Sequence, residues 1–403
     1  MIPEINIGMV GHIDHGKTSL LKSLTGKWAS THSEEKKRGI TIRLGYSSMT
    51  IHQCPKGHLT TDAKCPIHGA KAKPLRTISF VDAPGHETLM ATMLSGASVM
   101  DAAILVIAAN EKCPQPQTRE HLAALNIMNI QKLIIVQNKV DLVDDKRVKE
   151  SYNEIKSFVK GSVAENAPII PMSALHDANL DILLEAVQEF FPTPKRDLTK
   201  APLMLVSRSF DVNKPGDKPE DLKGGVLGGI LKQGKLKQDD EIIILPGLKI
   251  EEGGQTNWKP LKTKIDKLFY GSKEVKEAVP GGNFGVSTIL DFSLTRGDAL
   301  AGSVVCTKKH LVQVHTDEMS IEPKLMERVV GTSKELQAGP LKINEPLMIN
   351  AFTAKTIGVI TKVSPKSVTV KLKLPVAIDK GESIALSRFI NNKWRLVGSA
   401  IVI

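Results

Sequence analysis

The sequence GHIDHGKT, at residues 11–18, constrains this chain more than any other segment. It follows the strand-like run INIGMV and opens the helical pattern SLLKSLTG, so it fits G-x-x-x-x-G-K-T in the context of strand, loop and helix. In that context backbone N–H groups hold the α- and β-phosphates of a nucleotide, Lys17 reaches the β- and γ-phosphates, and Thr18 binds Mg²⁺. The segment predicts an α/β domain whose nucleotide-binding loop contains Asp14, His15, Gly16, Lys17, Thr18 and Ser19.

Two further segments predict the base and the metal. DAPG follows the strand-like run TISFV, which places the Asp82 carboxylate near a metal and the Gly85 N–H near a γ-phosphate. NKVD follows LIIVQ, at the edge where open α/β sheets bind ligands. There Asp141 can accept from the ring N–H and exocyclic amine of guanine, Asn138 can address its other edge, and Lys139 can lie along the base. Adenine presents the wrong donors to that carboxylate.

The segment SAL follows the last strand-like run of this part of the chain, and it comprises Ser173, Ala174 and Leu175. We expect the backbone N–H of Ala174 to meet the guanine oxygen. Four motifs in this order, each at a strand end, predict binding of GTP and GDP. The sequence lacks G-x-G-x-x-G after the first strand, which argues against a dinucleotide site.

Two residues are candidates for sensing and using the γ-phosphate. Thr41, in EEKKRGITI, occupies the place of a threonine that binds Mg²⁺ only in the triphosphate state; alternatively it begins a strand. His86 follows Gly85 where related enzymes orient the attacking water, a role that a neutral imidazole can perform. No arginine finger is identifiable within the chain, so we expect slow intrinsic hydrolysis that a partner accelerates.

The segment CPKGHLTTDAKCPIH, at residues 54–68, contains two pairs of potential metal ligands. Cys54, His58, Cys65 and His68 have the spacing C-x3-H and C-x2-H, which suits a tetrahedral structural Zn²⁺. The alternative is a disordered loop with incidental ligand types. Cys113 and Cys306 stand alone and are expected to be buried.

Pattern changes along the chain predict three domains. Residues 1–200 alternate apolar runs with helical segments such as Thr118–Met128 and Leu180–Phe191, which is typical of a parallel sheet flanked by helices. Beyond the linker PTPKRD, short strands and glycine-rich turns predict two small all-β barrels, at 201–309 and 310–403.

Charge and hydropathy limit the possible partners. The net charge is +11, from 54 Lys and Arg against 43 Asp and Glu, which suits a polyanion such as RNA or merely a soluble basic surface. No run approaches the ~18 apolar residues of a membrane span. The first ten residues lack the features of a signal peptide, so a cytoplasmic protein is expected.

Several segments carry a family resemblance. GHIDHGKTSL, RGITI, DAPGHE and NKVD together resemble the translational GTPases of the elongation factor Tu type, whose plan also has two small barrels. HSEEKKRGITIRLGY, PQPQTREHL, SFDVNKPG, LKGGVLGG and LMERVVG closely resemble the gamma subunit of archaeal and eukaryotic translation initiation factor 2. The resemblance spans essentially the whole chain, and the lack of a long N-terminal extension favours the archaeal branch.

The resemblance implies a GTPase that carries initiator methionyl-tRNA to the small ribosomal subunit and hydrolyses GTP on start-codon selection. It implies an alpha subunit on the second domain and a beta subunit on the GTPase domain. It also implies that Thr18, Thr41 and Asp82 serve the main Mg²⁺ site, that Asp14 serves a second one and takes part in catalysis, and that His86 holds the attacking water. The family usually has four cysteines in its zinc knuckle, where this chain has His58 and His68.

Other functions remain open at this point. A selenocysteine-specific or general elongation factor shares the GTPase motifs, although SFDVNKPG speaks against it. The GTPase subunit of a sulfate-activating enzyme would need an adenylyltransferase partner and would not bind aminoacyl-tRNA. A binding module without turnover is disfavoured because every motif residue is intact.

Overall fold

The computed structural model describes residues 1–26, 44–84, 90–252, 255–327, 329 and 337–403. The chain forms two compact units. The described residues of Met1–Pro194 make up an α/β unit, and Lys195–Glu327 with Ala338–Ile403 make up an all-β unit. No helix among these residues is long and apolar enough to cross a membrane.

The α/β unit is built on one seven-stranded sheet in the order β3-β2-β4-β1-β5-β6-β7. Its strands are β1 (Pro3–Gly11), β2 (Gly45–Gln53), β3 (Leu59–Thr60), β4 (Lys73–Asp82), β5 (Ala102–Ala108), β6 (Leu133–Asn138) and β7 (Ile169–Pro171). The described helices are α1 (Lys17–Thr25), α2 (Met90–Ala97), α3 (Pro116–Ile127), α4 (Asp145–Val159) and α5 (Leu180–Phe190).

The central strands are parallel, as the sequence predicts, because runs such as AAILVIA in β5 are apolar throughout and fully buried. The two strands at one edge of the sheet, β2 and β3, differ from that prediction. β2 pairs antiparallel with β4, and β3 pairs antiparallel with β2. The physical reason is visible in β2, whose residues GYSSMTIHQ are only partly buried, as suits an antiparallel edge with one wetter face.

Parallel strands bring their carboxyl ends to one edge of the sheet, and that edge carries the candidate site. β1 ends at Gly11, β4 at Asp82 and β6 at Asn138. Behind them the core packs residues of β1, β4, β5 and β6 against α1 and α5, including Leu20, Phe80 and Leu184. This core fixes the strand ends that present the motifs.

The all-β unit contains two closed six-stranded barrels. The first runs β11-β16-β8-β9-β15-β12 and closes through pairing of β11 with β12. Its strands are β8 (Leu203–Phe210), β9 (Val226–Gln233), β11 (Glu241–Glu252), β12 (Gln255–Tyr270), β15 (Asn283–Thr288) and β16 (Val304–Cys306), accompanied by β10 (Leu236–Lys237), β13 (Lys273–Val275) and β14 (Glu277–Ala278). Helical structure among the described residues of this unit is confined to 3₁₀ segments at Pro219–Asp221 and Phe292–Asp298.

The second barrel runs β18-β21-β20-β19-β23-β24. Its strands are β18 (Glu318–Leu325), β19 (Pro346–Ala351), β20 (Ala354–Val363), β21 (Val368–Leu372), β23 (Ser383–Ile390) and β24 (Lys393–Val402), and β17 (Val314–His315) pairs with β22 (Val376–Ala377) beside it. An ion pair joins the barrels, with Lys232 Nζ 2.7 Å from Glu382 Oε1, and His310 Nε2 lies within hydrogen-bonding distance of Asp379 Oδ2, at 2.8 Å. The predicted fold class, a P-loop α/β domain followed by two β-barrels, is confirmed.

Candidate nucleotide-binding site

Two glycines shape the loop between β1 and α1. Gly16 has φ 91°, in the left-handed region, and a Cβ there would lie 2.2 Å from Asn138 Nδ2. Gly11 has φ 141°, and a Cβ there would lie 2.3 Å from the backbone oxygen of Val106. The loop can therefore sit against the ends of β5 and β6 only with glycine at both positions.

Three hydrogen bonds hold this loop against α3 and the ends of β5 and β6. The Gly11 N–H donates to Nδ1 of His121 on α3 at 2.8 Å, and Nδ1 of His15 donates to the Val106 carbonyl at 3.2 Å. Asn138 Nδ2 donates to the His15 carbonyl at 2.9 Å. We call these three contacts the loop brace. It ties the phosphate-binding segment to β5, β6 and α3.

Both histidines of the brace are buried and neutral. Burial lowers the pKa of His15 and of His121 to about 3 in each case. Because the Gly11 N–H donates to Nδ1 of His121, the ring proton of that histidine lies on Nε2. The brace therefore keeps its hydrogen-bonding pattern throughout the neutral pH range.

Lys17 lies inside the loop, where it is buried, and its Nζ donates to the His12 carbonyl at 2.6 Å. Burial lowers the pKa of Lys17 to about 8, against the opposing effect of the Asp82 and Asp14 carboxylates. A cation in this position suits a ligand with phosphate oxygens, which would supply the counter-charge. Asp14, with φ 57°, and Ser19, on α1, are both exposed at the loop.

A hydroxyl and a carboxylate meet beside Lys17. Thr18 Oγ1 donates to Asp82 Oδ2 at 3.1 Å, which joins the first turn of α1 to the carboxyl end of β4. Hydroxyl and carboxylate oxygens next to a phosphate-binding loop are the ligands that Mg²⁺ prefers. The described residues therefore fit Mg²⁺ held between protein and phosphate oxygens.

The predicted base-binding residues lie at the ends of β6 and β7. Lys139 has φ 62°, and Asp141 follows it in a 3₁₀ turn, with its Oδ2 3.9 Å from His176 Nε2. Ser173 is buried, whereas Leu175 is 77% exposed. Asp141 and Leu175 are thus both accessible to a ligand.

Asn138 and Ala174 form a hydrogen bond with each other that the sequence does not predict. The Ala174 N–H donates to Asn138 Oδ1 at 3.0 Å, while Asn138 Nδ2 holds the His15 carbonyl. The amide side chain thus links the phosphate-binding loop to the SAL segment. Contacts of either group with guanine stay predictions.

Some predicted residues lie outside the described part of the chain, and some functional residues were missed. Thr41, Gly85 and His86 are not among the described residues. His121 and Val106 were not singled out from the sequence, because their contacts with the loop span more than ninety residues. The only local signal is a histidine on a largely buried helix, in TREHLAAL.

The cysteine and histidine side chains of the knuckle also come together. Ligand atoms of Cys54, Cys65 and His68 lie within 4.8 Å of one another. His68 Nδ1 is 3.4 Å from Cys54 Sγ and 3.5 Å from Cys65 Sγ. His58 stands outside that group of three, although its Nδ1 lies 3.4 Å from Cys65 Sγ. Two thiols and two imidazoles form a donor set that fits Zn²⁺.

Tight turns bring these ligands together. The Gly57 N–H donates to the Cys54 carbonyl at 2.9 Å, and the Gly69 N–H donates to the Cys65 carbonyl at 2.8 Å. Both glycines adopt positive φ, 87° and 63°, which allows the chain to reverse within three or four residues of each cysteine.

Family models match both ends of the chain. The elongation factor Tu GTP binding domain matches residues 3–193, and the model described as initiation factor eIF2 gamma, C terminal, matches residues 317–402. The all-β unit therefore carries a family-specific signal besides the shared GTPase domain.

Solved structures share the fold at low identity. A bacterial selenocysteine-specific elongation factor has a TM-score of 0.76 at 21% identity, covering 100% of this chain and 58% of its own. The elongation factor SelB of Methanococcus maripaludis, in complex with a GTP analogue, has a TM-score of 0.74 at 22% identity, covering 100% and 79%. At these identities the likeness concerns the fold alone.

Curated relatives are far more similar in sequence. Translation initiation factor 2 subunit gamma of Methanococcus maripaludis is 57% identical over 99% of this chain and 98% of its own length. The protein of the same name from Methanocaldococcus jannaschii is 57% identical over 98% and 96%, and that from Archaeoglobus fulgidus is 54% identical over 100% and 95%. The chain belongs to the family of translation initiation factor 2 gamma subunits, which are translational GTPases.

Proposed function

We propose that this chain carries initiator methionyl-tRNA to the small ribosomal subunit in its GTP-bound form and hydrolyses GTP on start-codon selection. The observation that carries the proposal is the clustering of Lys17, Thr18 and Asp82 at the strand edge that also presents Asn138 and Asp141, in a chain of this family. One edge can thus hold phosphates, metal and base together. The presence of the γ-phosphate then determines whether the chain binds the tRNA.

Each part of the site has a proposed role. Lys17 neutralises the β- and γ-phosphates, and Thr18, Thr41 and Asp82 serve the main Mg²⁺ site. Mg²⁺, when bound, neutralises phosphate charge. Asp14 serves a second Mg²⁺ site and contributes to catalysis, while the remaining loop residues His15, Gly16 and Ser19 shape the phosphate cradle.

Base selection and hydrolysis use the other predicted residues. Asp141 accepts the two guanine N–H donors, and Lys139, Asn138, Ser173, Ala174 and Leu175 complete the pocket. Gly85 contacts the γ-phosphate through its N–H. His86 orients the attacking water without being protonated.

Partners and a second metal complete the proposal. An alpha subunit docks on the first barrel and a beta subunit on the GTPase domain, and the complex acts in the cytoplasm. Cys54, Cys65 and His68, with His58 as the fourth ligand, hold a structural Zn²⁺. The closeness of their ligand atoms supports this assignment.

The cargo assignment is tested with three RNAs at fixed salt. The chain is loaded with a non-hydrolysable GTP analogue and titrated with methionyl initiator tRNA, the same tRNA without its amino acid, and a mismatched aminoacyl-tRNA. We expect the first to bind at least several-fold more tightly than the other two, because a basic surface alone does not read the aminoacyl group. Equal affinity for all three would contradict the cargo assignment.

A further inference from the structure

Residues 54–73, which we call the knuckle segment, connect β2 to β4. Lys73 begins β4, and β4 ends at Asp82 beside the phosphate-binding loop. A strand of ten residues spans roughly 30 Å at about 3.3 Å per residue. The knuckle segment therefore lies at the edge of the sheet opposite to the nucleotide, too far away to contact the γ-phosphate.

The knuckle segment is a fixed part of the α/β unit. Leu59 belongs to the core that contains α5, and Cys54, Cys65 and Ala72 form a small buried cluster of their own. Arg76, three residues further along β4, donates to the Phe191 carbonyl at 2.9 Å and anchors the strand. A ligand of this segment would meet a surface that is already folded.

The surface of this segment is strongly cationic. Lys56, Lys64, Lys71 and Lys73 are all exposed, and Asp62 is the single carboxylate among residues 54–73. In the described part of the chain none of these four lysines makes an ion pair. Arg147 of the same unit, by contrast, pairs with Glu154 at 2.9 Å.

Two of the lysines lie opposite each other on neighbouring backbone segments. Lys64 and Lys71 form an isolated antiparallel bridge, so their side chains start from directly opposite positions. Like charges in that arrangement are destabilising by some tenths of a kcal/mol up to about 1 kcal/mol. A bound anion would relieve such repulsion.

The chemistry of the surface favours RNA over a protein partner. Ile67, 65% exposed, is the only large hydrophobic residue among residues 54–73 that is exposed to this degree. A stable protein interface buries about 800 Å² on each side and has an apolar centre, which one isoleucine does not supply. Separated lysine ammonium groups suit the evenly spaced phosphates of a nucleic acid backbone.

We infer that the knuckle segment binds the phosphate backbone of small-subunit ribosomal RNA through Lys56, Lys64, Lys71 and Lys73. This inference rests on the proposed function, which places the chain on the small ribosomal subunit. Because the segment is remote from the nucleotide, the contact is independent of the γ-phosphate. That independence distinguishes it from binding of the cargo tRNA.

The test compares two quadruple variants of the full chain. The first carries Lys56→Gln, Lys64→Gln, Lys71→Gln and Lys73→Gln, which leaves all four candidate metal ligands in place. The matched control carries Lys146→Gln, Lys149→Gln, Lys156→Gln and Lys160→Gln. These exposed lysines lie on or beside α4, which also carries Asp145, Glu150 and Glu154. Both variants lose the same charge from the same unit.

Affinity for purified small ribosomal subunits is measured from 50 to 300 mM salt, with a GTP analogue and with GDP. We expect the knuckle variant to bind about 10-fold more weakly or worse at low salt, with a log–log salt slope shallower by about 3 to 4. The control variant should differ little from the unchanged chain. A third variant, with arginine at the four knuckle positions, should restore both affinity and slope if folding is intact.

Two results would overturn the inference. One is an equal loss of affinity for the small ribosomal subunit in the knuckle and control variants, which would indicate that net charge alone is responsible. The other is unchanged binding of the small ribosomal subunit by the knuckle variant. If that variant then also fails to bind an alpha or beta subunit, the segment is a docking site for a protein. Failure of the proposed function has a different signature, since the unchanged chain would then not discriminate methionyl initiator tRNA from other tRNAs.

Discussion

Gly16 shows how a single residue determines the geometry of the phosphate-binding loop. Its left-handed backbone strains any side chain, and a Cβ there would lie 2.2 Å from Asn138 Nδ2, so the Asn138 amide would have to move. Gly26, at the other end of α1, has a similar left-handed backbone with φ 68°, but apart from its chain neighbours no atom of the described residues lies within 4 Å of its Cβ position. Comparing substitutions at the two glycines therefore separates the free-energy cost of backbone strain from that of a steric clash.

Gly16→Ala and Gly26→Ala form a matched pair. We expect Gly26→Ala to lower the free energy of unfolding by about 1 kcal/mol, from backbone strain alone. Gly16→Ala should cost about 1 to 3 kcal/mol more, because Asn138 must release the His15 carbonyl. It should also weaken GDP binding by more than 10-fold. Urea unfolding without nucleotide and titration with fluorescent GDP measure both effects; equal effects of the two substitutions would contradict the role of the Asn138 contact.

His86 is proposed to hold the attacking water and to contribute little to nucleotide affinity. His86→Ala is therefore expected to lower the GTP hydrolysis rate about 10²-fold or more, while GTP affinity stays within a few-fold. Single-turnover hydrolysis, measured with small ribosomal subunits present, gives the rate. An unchanged rate would remove His86 from the mechanism.

At the scale of elements, the loop brace connects α3, β5 and β6 to the phosphate-binding loop. Its contacts depend on histidines that are neutral in the folded protein, since burial lowers the pKa of His15 and His121 to about 3. Unfolded, such side chains titrate near 6.5. Below that pH the unfolded chain binds more protons than the folded one, so acid favours unfolding.

The brace thus predicts a pH dependence of stability. The contribution of the two histidines is fully present above pH 6.5 and is lost as the pH falls from 6.5 toward 3. Each histidine should add about 1.4 kcal/mol per pH unit to the slope of the unfolding free energy well below pH 6.5. His121→Asn offers an amide oxygen to the Gly11 N–H and does not titrate. Urea unfolding between pH 7.5 and 4.5 should show a shallower slope for this variant, and an identical slope would mean that His121 is not buried and neutral.

Element types were predictable from sequence where one local cause determines them. The all-apolar runs of β5 and β6 predict buried parallel strands, and the helix predicted at Thr118–Met128 is observed at Pro116–Ile127. The antiparallel direction of β2 was not predicted, because a polar edge strand can pair either way. The pairing of His121 with Gly11 was also missed, since 110 residues separate them and only the packing of α3 brings them together.

The knuckle provides a prediction of its own. If Cys54, His58, Cys65 and His68 hold Zn²⁺, native mass spectrometry after purification in zinc-replete buffer should show one zinc ion per chain. Cys65→Ser should abolish it, because Cys65 Sγ lies within 3.5 Å of both imidazoles. Cys306→Ser, at a buried cysteine in the first barrel, is the control and should retain the metal. A metal-free mass for the unchanged chain would contradict the site.

At the scale of the whole molecule, charge and switching make different contributions to RNA binding. A net charge of +11 attracts any RNA, with steep salt dependence and no sensitivity to the nucleotide. A carrier must in addition couple the γ-phosphate to cargo affinity. Allosteric coupling of this kind typically amounts to about 1 to 3 kcal/mol.

The proposed gating of cargo binding by the γ-phosphate is tested by the affinity of methionyl initiator tRNA at one salt concentration, with a GTP analogue and with GDP. We expect roughly 5- to 150-fold tighter binding with the analogue. Linkage requires the tRNA to raise the affinity for the analogue over GDP by the same factor. Equal tRNA affinity in the two nucleotide states, with no preference for the methionyl group, would contradict the account and leave only a basic surface that binds RNA.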